Sequence, residues 1–190
     1  MTKTARRAAG VAVVVAVLGW TSSAAATESK AAVASQEAIT RTNAGVRGLS
    51  PRLVAVITKA AAQSKTFRGL VDQIGTTDGI VYVAEGECGH GVHACLLFTI
   101  TMAGPNRVLW ILVDPQKSDR DVMASIGHEL QHAVEVLSNR TIKSGRAMYS
   151  LYFEKCHRCG GAIETYAAIR AGTAVREELQ KSAAAAERRE

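Results

Sequence analysis

The stretch SDRDVMASIGHELQHAVEVLS, residues 118–138, predicts one long helix, and the rest of this 190-residue sequence is interpreted around it. Ser118 is a typical N-cap followed by acidic residues in the first turn, and Asn139 ends the pattern. At about 100° per residue, His128 and His132 fall on the side opposite a broad apolar stripe. That stripe contains Val122, Met123, Ile126, Leu130, Ala133, Val134 and Leu137.

The histidine spacing within this helix is that of a metal site. His128 and His132 are four residues apart, so their imidazoles stand one turn apart and can bind the same Zn²⁺ ion. Glu129 flanks the pair and can accept a proton from a water whose pKa the metal has lowered to roughly 7. The pattern therefore predicts metal-dependent hydrolysis, and surface histidines on an amphipathic helix are the alternative interpretation.

The segments before this helix predict an α+β fold with a small antiparallel sheet packed on helices. Helical spacing predicts a helix over 51–63, after Ser50. Alternating and apolar segments predict strands over 80–84, 94–102 and 107–113, of which the last two form a hairpin. We expect residues 49–190 to form a single domain.

The motif and its surroundings resemble the zincin metallopeptidases, in which a helix bearing His-Glu-x-x-His packs beside a small sheet whose edge strand can align a substrate. The resemblance covers about residues 80–179, and Glu164 with the helix it opens resembles the second ligand helix of the glutamate-type zincins. It implies a zinc metallopeptidase-like domain, with zinc bound by His128, His132 and Glu164. It also implies Glu129 as the catalytic base and a peptide or protein as the substrate.

The third ligand has alternatives. Glu135 lies on the histidine helix, almost two turns from His128, and is better placed to orient His132 than to bind the metal. Glu154 and His157 are the remaining candidates.

Hydrolysis also requires a group that stabilises charge on the former carbonyl oxygen. Tyr149 and Tyr166 are possible stabilisers, although neither has a spacing that singles it out. Arg146 and Tyr152 lie in the same part of the chain, and aromatic residues on a short helix are more often part of a core.

Four cysteines suggest disulfides, a redox pair or a second metal site. Local pairing of Cys88 with Cys95 and of Cys156 with Cys159 is the simplest expectation, and cross-pairing stays open. Cys156 and Cys159 could instead form a redox-active pair. A metal cluster is the third interpretation, and its ligands would be Cys88, His90, His93 and Cys95.

The N-terminal region resembles an export signal. Basic residues precede an apolar stretch from 8 to 20, and small residues at 24–26 fit a cleavage site. We therefore expect a signal peptide over 1–26 and a flexible tether over 27–48. The mature protein would be periplasmic or extracellular, without a stable membrane anchor after cleavage.

The composition is that of a globular protein and does not favour nucleic-acid binding. Apolar residues make up 47% and charged residues 21%, which is typical of globular domains. The formal charge of +6 falls to +3 without Lys3, Arg6 and Arg7 of the signal segment, and aromatic residues make up only 5%. Nucleic acid is therefore not an expected partner.

The competing functional class is an exported protein that binds metal without catalysis, or one whose working element is the Cys156–Cys159 pair in a structural or redox role.

Overall fold

Five strands and five helices make up the part of the chain that the computed structural model describes, which is residues 45–89, 91–155 and 164–188. The strands are β1 (Val46–Gly48), β2 (Gly79–Glu85), β3 (Ala94–Leu96), β4 (Thr101–Ala103) and β5 (Asn106–Val113). The helices are α1 (Pro51–Gln63), α2 (Lys65–Gly75), α3 (Asp119–Leu137), α4 (Gly145–Lys155) and α5 (Tyr166–Glu187). The predicted α+β class is confirmed, and all of these elements belong to one unit, Gln36–Glu190.

The sheet is mixed, and the prediction of an antiparallel sheet was wrong. Its strand order is β1-β2-β5-β3, with β4 also paired to β5. The pairs β1–β2 and β2–β5 are parallel, whereas β3 and β4 run antiparallel to β5. The chain passes through α1 and α2 between β1 and β2, and such a crossover returns the second strand parallel to the first.

Strand β1 lies before the predicted domain boundary at residue 49. Val46 lies within the predicted tether, yet it pairs with Val81 of β2 and is only 1% exposed. The predicted signal peptide over 1–26 and residues 27–44 of the tether lie outside the described residues. Of the helices that the structure does describe, none combines the length and the apolar character needed to cross a membrane.

The strand predicted over 94–102 is interrupted. Leu96 pairs with Ile111 and Thr101 pairs with Val108, so the four residues 97–100 lie opposite only two residues of β5. The extra residues bulge out of the ladder, as insertions in antiparallel pairs do. Phe98, in the middle of this bulge, is 44% exposed.

Helix α1 has the predicted limits, whereas α2 was not predicted. Ser64 ends α1 and its side chain accepts a hydrogen bond from the Phe67 N–H, so one residue separates the two helices and caps the second. Buried residues of α2 have helical spacing: Phe67, Leu70, Val71 and Ile74. These residues pack into the same core as the buried face of α1.

Helix α3 has almost the predicted limits, and Ser118 caps it as expected. The predicted contrast between its two sides is weaker than the sequence indicated, because α5 covers the side opposite the apolar stripe. The two helices approach closely at glycines. A Cβ atom on Gly127 would lie 2.8 Å from a Val175 methyl group, and one on Gly172 would lie 3.1 Å from the Cβ of His128.

The C-terminal end of α3 is held by a buried arginine from the sheet. Arg107 is fully buried, and its Nη2 lies 2.6 Å from Oδ1 of Asp78. The hydrogen bond from this guanidinium lowers the pKa of the Asp78 carboxyl. Arg107 also donates to four carbonyl groups at or just beyond the end of α3, those of Val136, Leu137, Asn139 and Ile142. A cation at this position satisfies the helix's last acceptors and opposes its dipole.

Candidate metal centre

The predicted ligands come together in the structure. One ligand atom from each of His128, His132 and Glu164 lies within 4.8 Å of the other two, so the group could hold a metal ion. The two imidazole rings have centroids 5.0 Å apart and are inclined by 72°, as successive turns of α3 present them. Among the described residues, no other His, Cys, Asp or Glu group has this arrangement.

Glu164 reaches the histidines because of the way α5 begins. It was expected to open this helix, but it lies two residues before Tyr166, and Thr165 is the N-cap. The Thr165 side chain accepts a hydrogen bond from the Ala168 N–H at 3.1 Å. Further along α5, Gly172 lies close to His128, so the two helices are in contact beside the ligand group.

The donor set fits a cation in its charge and in its unsatisfied atoms. Oε2 of Glu164 is a buried oxygen that makes no hydrogen bond, although Nε2 of His128 lies 3.0 Å away. The contact with His128 lowers the pKa of Glu164, which favours the carboxylate form. A buried acceptor beside an imidazole nitrogen, without a hydrogen bond between them, is an arrangement that a shared metal ion would satisfy.

Glu129 lies beside the three ligands and is oriented by the sheet. Its side chain is largely buried, at 8% exposure, and burial raises the pKa of its carboxyl. Oε2 accepts a hydrogen bond of 2.8 Å from the backbone N–H of Leu96 in β3. The edge strand therefore positions the carboxylate next to the ligand group.

Glu135 contacts His132, as expected for a residue that orients this imidazole. Its Oε2 lies 3.3 Å from Nδ1 of His132, and its Oε1 accepts a hydrogen bond of 2.8 Å from the Thr165 hydroxyl. One carboxylate thus joins a ligand on α3 to the residue that follows Glu164. With Nδ1 engaged, Nε2 is the nitrogen of His132 that can face a metal.

Tyr152 supports His132 from the other side. Its ring meets the imidazole edge to face at 5.2 Å, and its hydroxyl donates to the His132 carbonyl at 2.7 Å. Tyr152 is 2% exposed, and burial raises the pKa of its hydroxyl above the ordinary range.

Two cavities adjoin the ligand group. The first, of about 530 Å³, is lined by both histidines, Glu129, Glu164 and residues of the β3–β4 bulge and α4. The second, of about 540 Å³, shares His128, Glu129 and Glu164 with the first and continues towards α5. The site therefore lies in a cleft that extends past Glu129 on two sides.

The other predicted site residues are not equally close. Tyr149 lines the first cavity, whereas Tyr166 is 56% exposed and lines neither cavity. Glu154 is exposed on α4 and is not part of the ligand group. His157, the remaining candidate ligand, lies outside the described residues.

The predicted disulfide between Cys88 and Cys95 is confirmed, with the two Cα atoms 5.8 Å apart. This bond removes both thiols from the alternative metal cluster with His90 and His93, so that interpretation was wrong. Cys156 and Cys159 lie outside the described residues, as does His90.

Two contributors to the site were missed by sequence reasoning. The backbone N–H of Leu96 left no signal, because its role depends on how β3 packs against α3. Thr165 could have been found, since a threonine immediately before an alanine-rich helical pattern is a typical N-cap. Comparison of the chain with models of protein families, with curated proteins and with solved structures found no match.

Proposed function

We propose that this chain is an exported zinc-dependent metallopeptidase of the zincin type. The observation that carries the proposal is the convergence of His128, His132 and Glu164 to within 4.8 Å, with Glu129 beside them in an open cleft. Catalytic zinc sites commonly have three protein ligands and keep one position open, whereas structural sites are closed by four.

Zinc suits this donor set better than the commoner hard cations. Two imidazoles and one carboxylate favour zinc, while calcium and magnesium prefer oxygen ligands alone. When bound, zinc supplies Lewis acidity that polarises a carbonyl group and lowers the pKa of water. His128, His132 and Glu164 would hold the ion, and Glu135 would keep His132 in the tautomer that binds through Nε2.

Glu129 is the base in this proposal. It would accept a proton from the attacking water and later deliver it to the leaving amine, the usual role of a carboxylate in general acid–base catalysis. The Leu96 N–H holds one of its oxygens, which fixes the direction of the carboxylate before substrate arrives. Burial, which raises its pKa, also makes it a stronger base than an exposed glutamate.

The edge strand β3 supports a peptide as the substrate. The His93 C=O accepts a hydrogen bond from the Asp114 N–H, and the Leu97 N–H donates one to the Trp110 C=O. His93 and Leu97 therefore direct these backbone groups towards β5. Because antiparallel strands alternate, Ala94 and Leu96 direct theirs outward, beside the cleft. An extended peptide can pair with the Ala94 N–H and C=O and with the Leu96 C=O.

Export is proposed from the N-terminal pattern of the sequence. The Cys88–Cys95 disulfide agrees with it, because disulfides persist mainly outside the reducing cytoplasm. The mature protein would act in the periplasm or outside the cell.

The decisive variant is Glu129→Gln, which keeps the size of the side chain and removes the base. In zinc-loaded protein it should retain bound zinc and lower peptide hydrolysis by about 10²- to 10⁴-fold. Glu154→Gln, an exposed glutamate outside the ligand group, is the matched control and should hydrolyse peptides like the wild type. Substrates can be taken from a peptide-library digest carried out with and without a chelator. Equal hydrolysis by Glu129→Gln and the wild type would eliminate the mechanism, and zinc binding without hydrolysis would favour the non-catalytic class.

A further inference from the structure

The first cavity has an apolar wall that the ligand group does not explain. Phe98 of the β3–β4 bulge and Tyr149 of α4 form its rim and are 44% and 54% exposed. Their rings meet edge to face at 6.1 Å, and Phe98 also meets Tyr152 at 5.8 Å. Met148, fully buried, completes the wall. We name Phe98, Met148, Tyr149 and Tyr152 the aromatic wall.

Charge separates this cavity from its neighbour. Apart from the ligand group and Glu129, every described residue that lines the first cavity is uncharged at neutral pH. The second cavity is lined by Arg176 and His93 as well as by Ser125 and Thr173. A charged side chain packed against the aromatic wall would lose water without gaining an opposite charge from it, whereas an apolar one would gain burial.

We propose that the aromatic wall binds a bulky apolar side chain, aromatic or large aliphatic, of an extended peptide aligned along β3. The inference rests on the proposed function in that it names the class of peptide this cleft takes. The occupant is a peptide because the outward backbone groups of Ala94 and Leu96 lie on the same edge as the cavity that they help to line. Two large apolar side chains exposed at the rim would be covered by such an occupant.

Binding should discriminate strongly between peptides. Burying one Phe or Leu side chain is worth roughly tenfold to a hundredfold in affinity. This gain includes the apolar surface that the wall buries together with the side chain. We therefore expect a peptide with one central Phe or Leu to bind at least about tenfold more tightly than the same peptide with Asp or Lys.

The test uses two readouts on peptides blocked at both ends that differ at one central residue. The first is kcat/KM for hydrolysis by the wild-type protein. The second is the Kd of the same peptides for Glu129→Gln protein, which reports binding without turnover. Tyr149→Ala and Phe98→Ala should each reduce the preference for Phe over Asp by about tenfold in both readouts. Phe153→Ala is the matched control, because Phe153 stacks on Tyr149 and is 64% exposed but does not line the cavity.

The outcomes separate the inference from the function on which it rests. Glu129-dependent hydrolysis without a preference for apolar residues in either readout would overturn the inference and leave the peptidase. Apolar-selective binding that Tyr149→Ala or Phe98→Ala weakens, without any hydrolysis, would support the wall and overturn the catalytic proposal. A preference that Phe153→Ala reduces as much as Tyr149→Ala does would place the apolar contact on the outer face of α4 and overturn the assignment. Neither hydrolysis nor peptide binding would overturn both.

Discussion

Removing the Glu135 carboxylate should weaken zinc binding although Glu135 is not one of the three ligands. Its two oxygens make separate contacts, one with Nδ1 of His132 at 3.3 Å and one with the Thr165 hydroxyl at 2.8 Å. The first sets which nitrogen of His132 can bind the metal. The second connects α3 to the residue after Glu164. Losing both contacts therefore disturbs two ligands.

The size of the effect follows from how much of this arrangement each variant removes. Loss of a contact that orients a metal ligand typically costs 10- to 100-fold in metal affinity, or about 1.4 to 2.7 kcal/mol. Glu135→Gln keeps an oxygen that can accept one hydrogen bond, so we expect a loss near the lower end, about tenfold. Glu135→Ala removes both contacts and should approach about 100-fold. Glu164→Ala, which removes a ligand, should exceed both.

The assay is a competition titration of zinc against a chromophoric chelator, with Glu154→Ala as the control that leaves affinity unchanged. Zinc affinity equal to the wild type in Glu135→Ala would refute the orienting role. A larger loss in Glu135→Ala than in Glu164→Ala would instead make Glu135 the third ligand. Far-ultraviolet circular dichroism of the zinc-free proteins checks that the variants remain folded.

Three further predictions concern the framework that holds α3. Arg107→Ala should lower the free energy of unfolding by about 3–5 kcal/mol, because it leaves Asp78 and several carbonyls at the end of α3 without their donor. A loss below about 1 kcal/mol in urea denaturation would contradict this prediction. Because folding lowers the pKa of Asp78, its carboxylate stabilises the folded chain at pH values above its pKa of about 3.9 in the unfolded chain. This stabilisation is lost as the pH falls through the pKa that Asp78 has in the folded chain. The stability difference between the wild type and Asp78→Asn should therefore shrink between about pH 5 and pH 3, and a constant difference over this range would be the contrary result. Gly127→Ala should destabilise the protein by about 1–3 kcal/mol, because the new methyl group forces Val175 aside. Gly69→Ala, with open space around its Cβ position, should instead stabilise the protein by about 0.4–1 kcal/mol. Equal thermal shifts in the two variants would contradict the close packing of α3 on α5.

The elements that the sequence predicted well are those with local causes. Helix α3 has an N-cap, an acidic first turn and a long apolar stripe, so its limits could be predicted to within a residue or two. The histidine pair follows from the four-residue spacing alone. The disulfide between Cys88 and Cys95 is likewise local, spanning seven residues.

The features that the sequence did not predict depend on contacts between distant segments. The parallel pairing of β1 with β2 arises from the path of the chain through α1 and α2, which strand patterns do not encode. The burial of His132 depends on α4 and α5 covering a side of α3 that reads as polar. Leu96 contributes only a backbone N–H, and no side-chain pattern in the sequence predicts that role.

The position of Glu164 is an intermediate case. The sequence offered four candidate third ligands, and spacing argued only against Glu135. The structure brings Glu164 to the histidines through the close contact between α3 and α5, a packing detail whose sequence signals are Gly127 and Gly172.

We propose that His128, His132 and Glu164 together bind one zinc ion, and zinc-edge X-ray absorption of the zinc-loaded protein tests this ligand set. We expect one zinc per chain with only nitrogen and oxygen neighbours, including two imidazoles at about 2.0–2.1 Å. Sulfur neighbours at about 2.3 Å, or a spectrum without imidazole scattering, would contradict it.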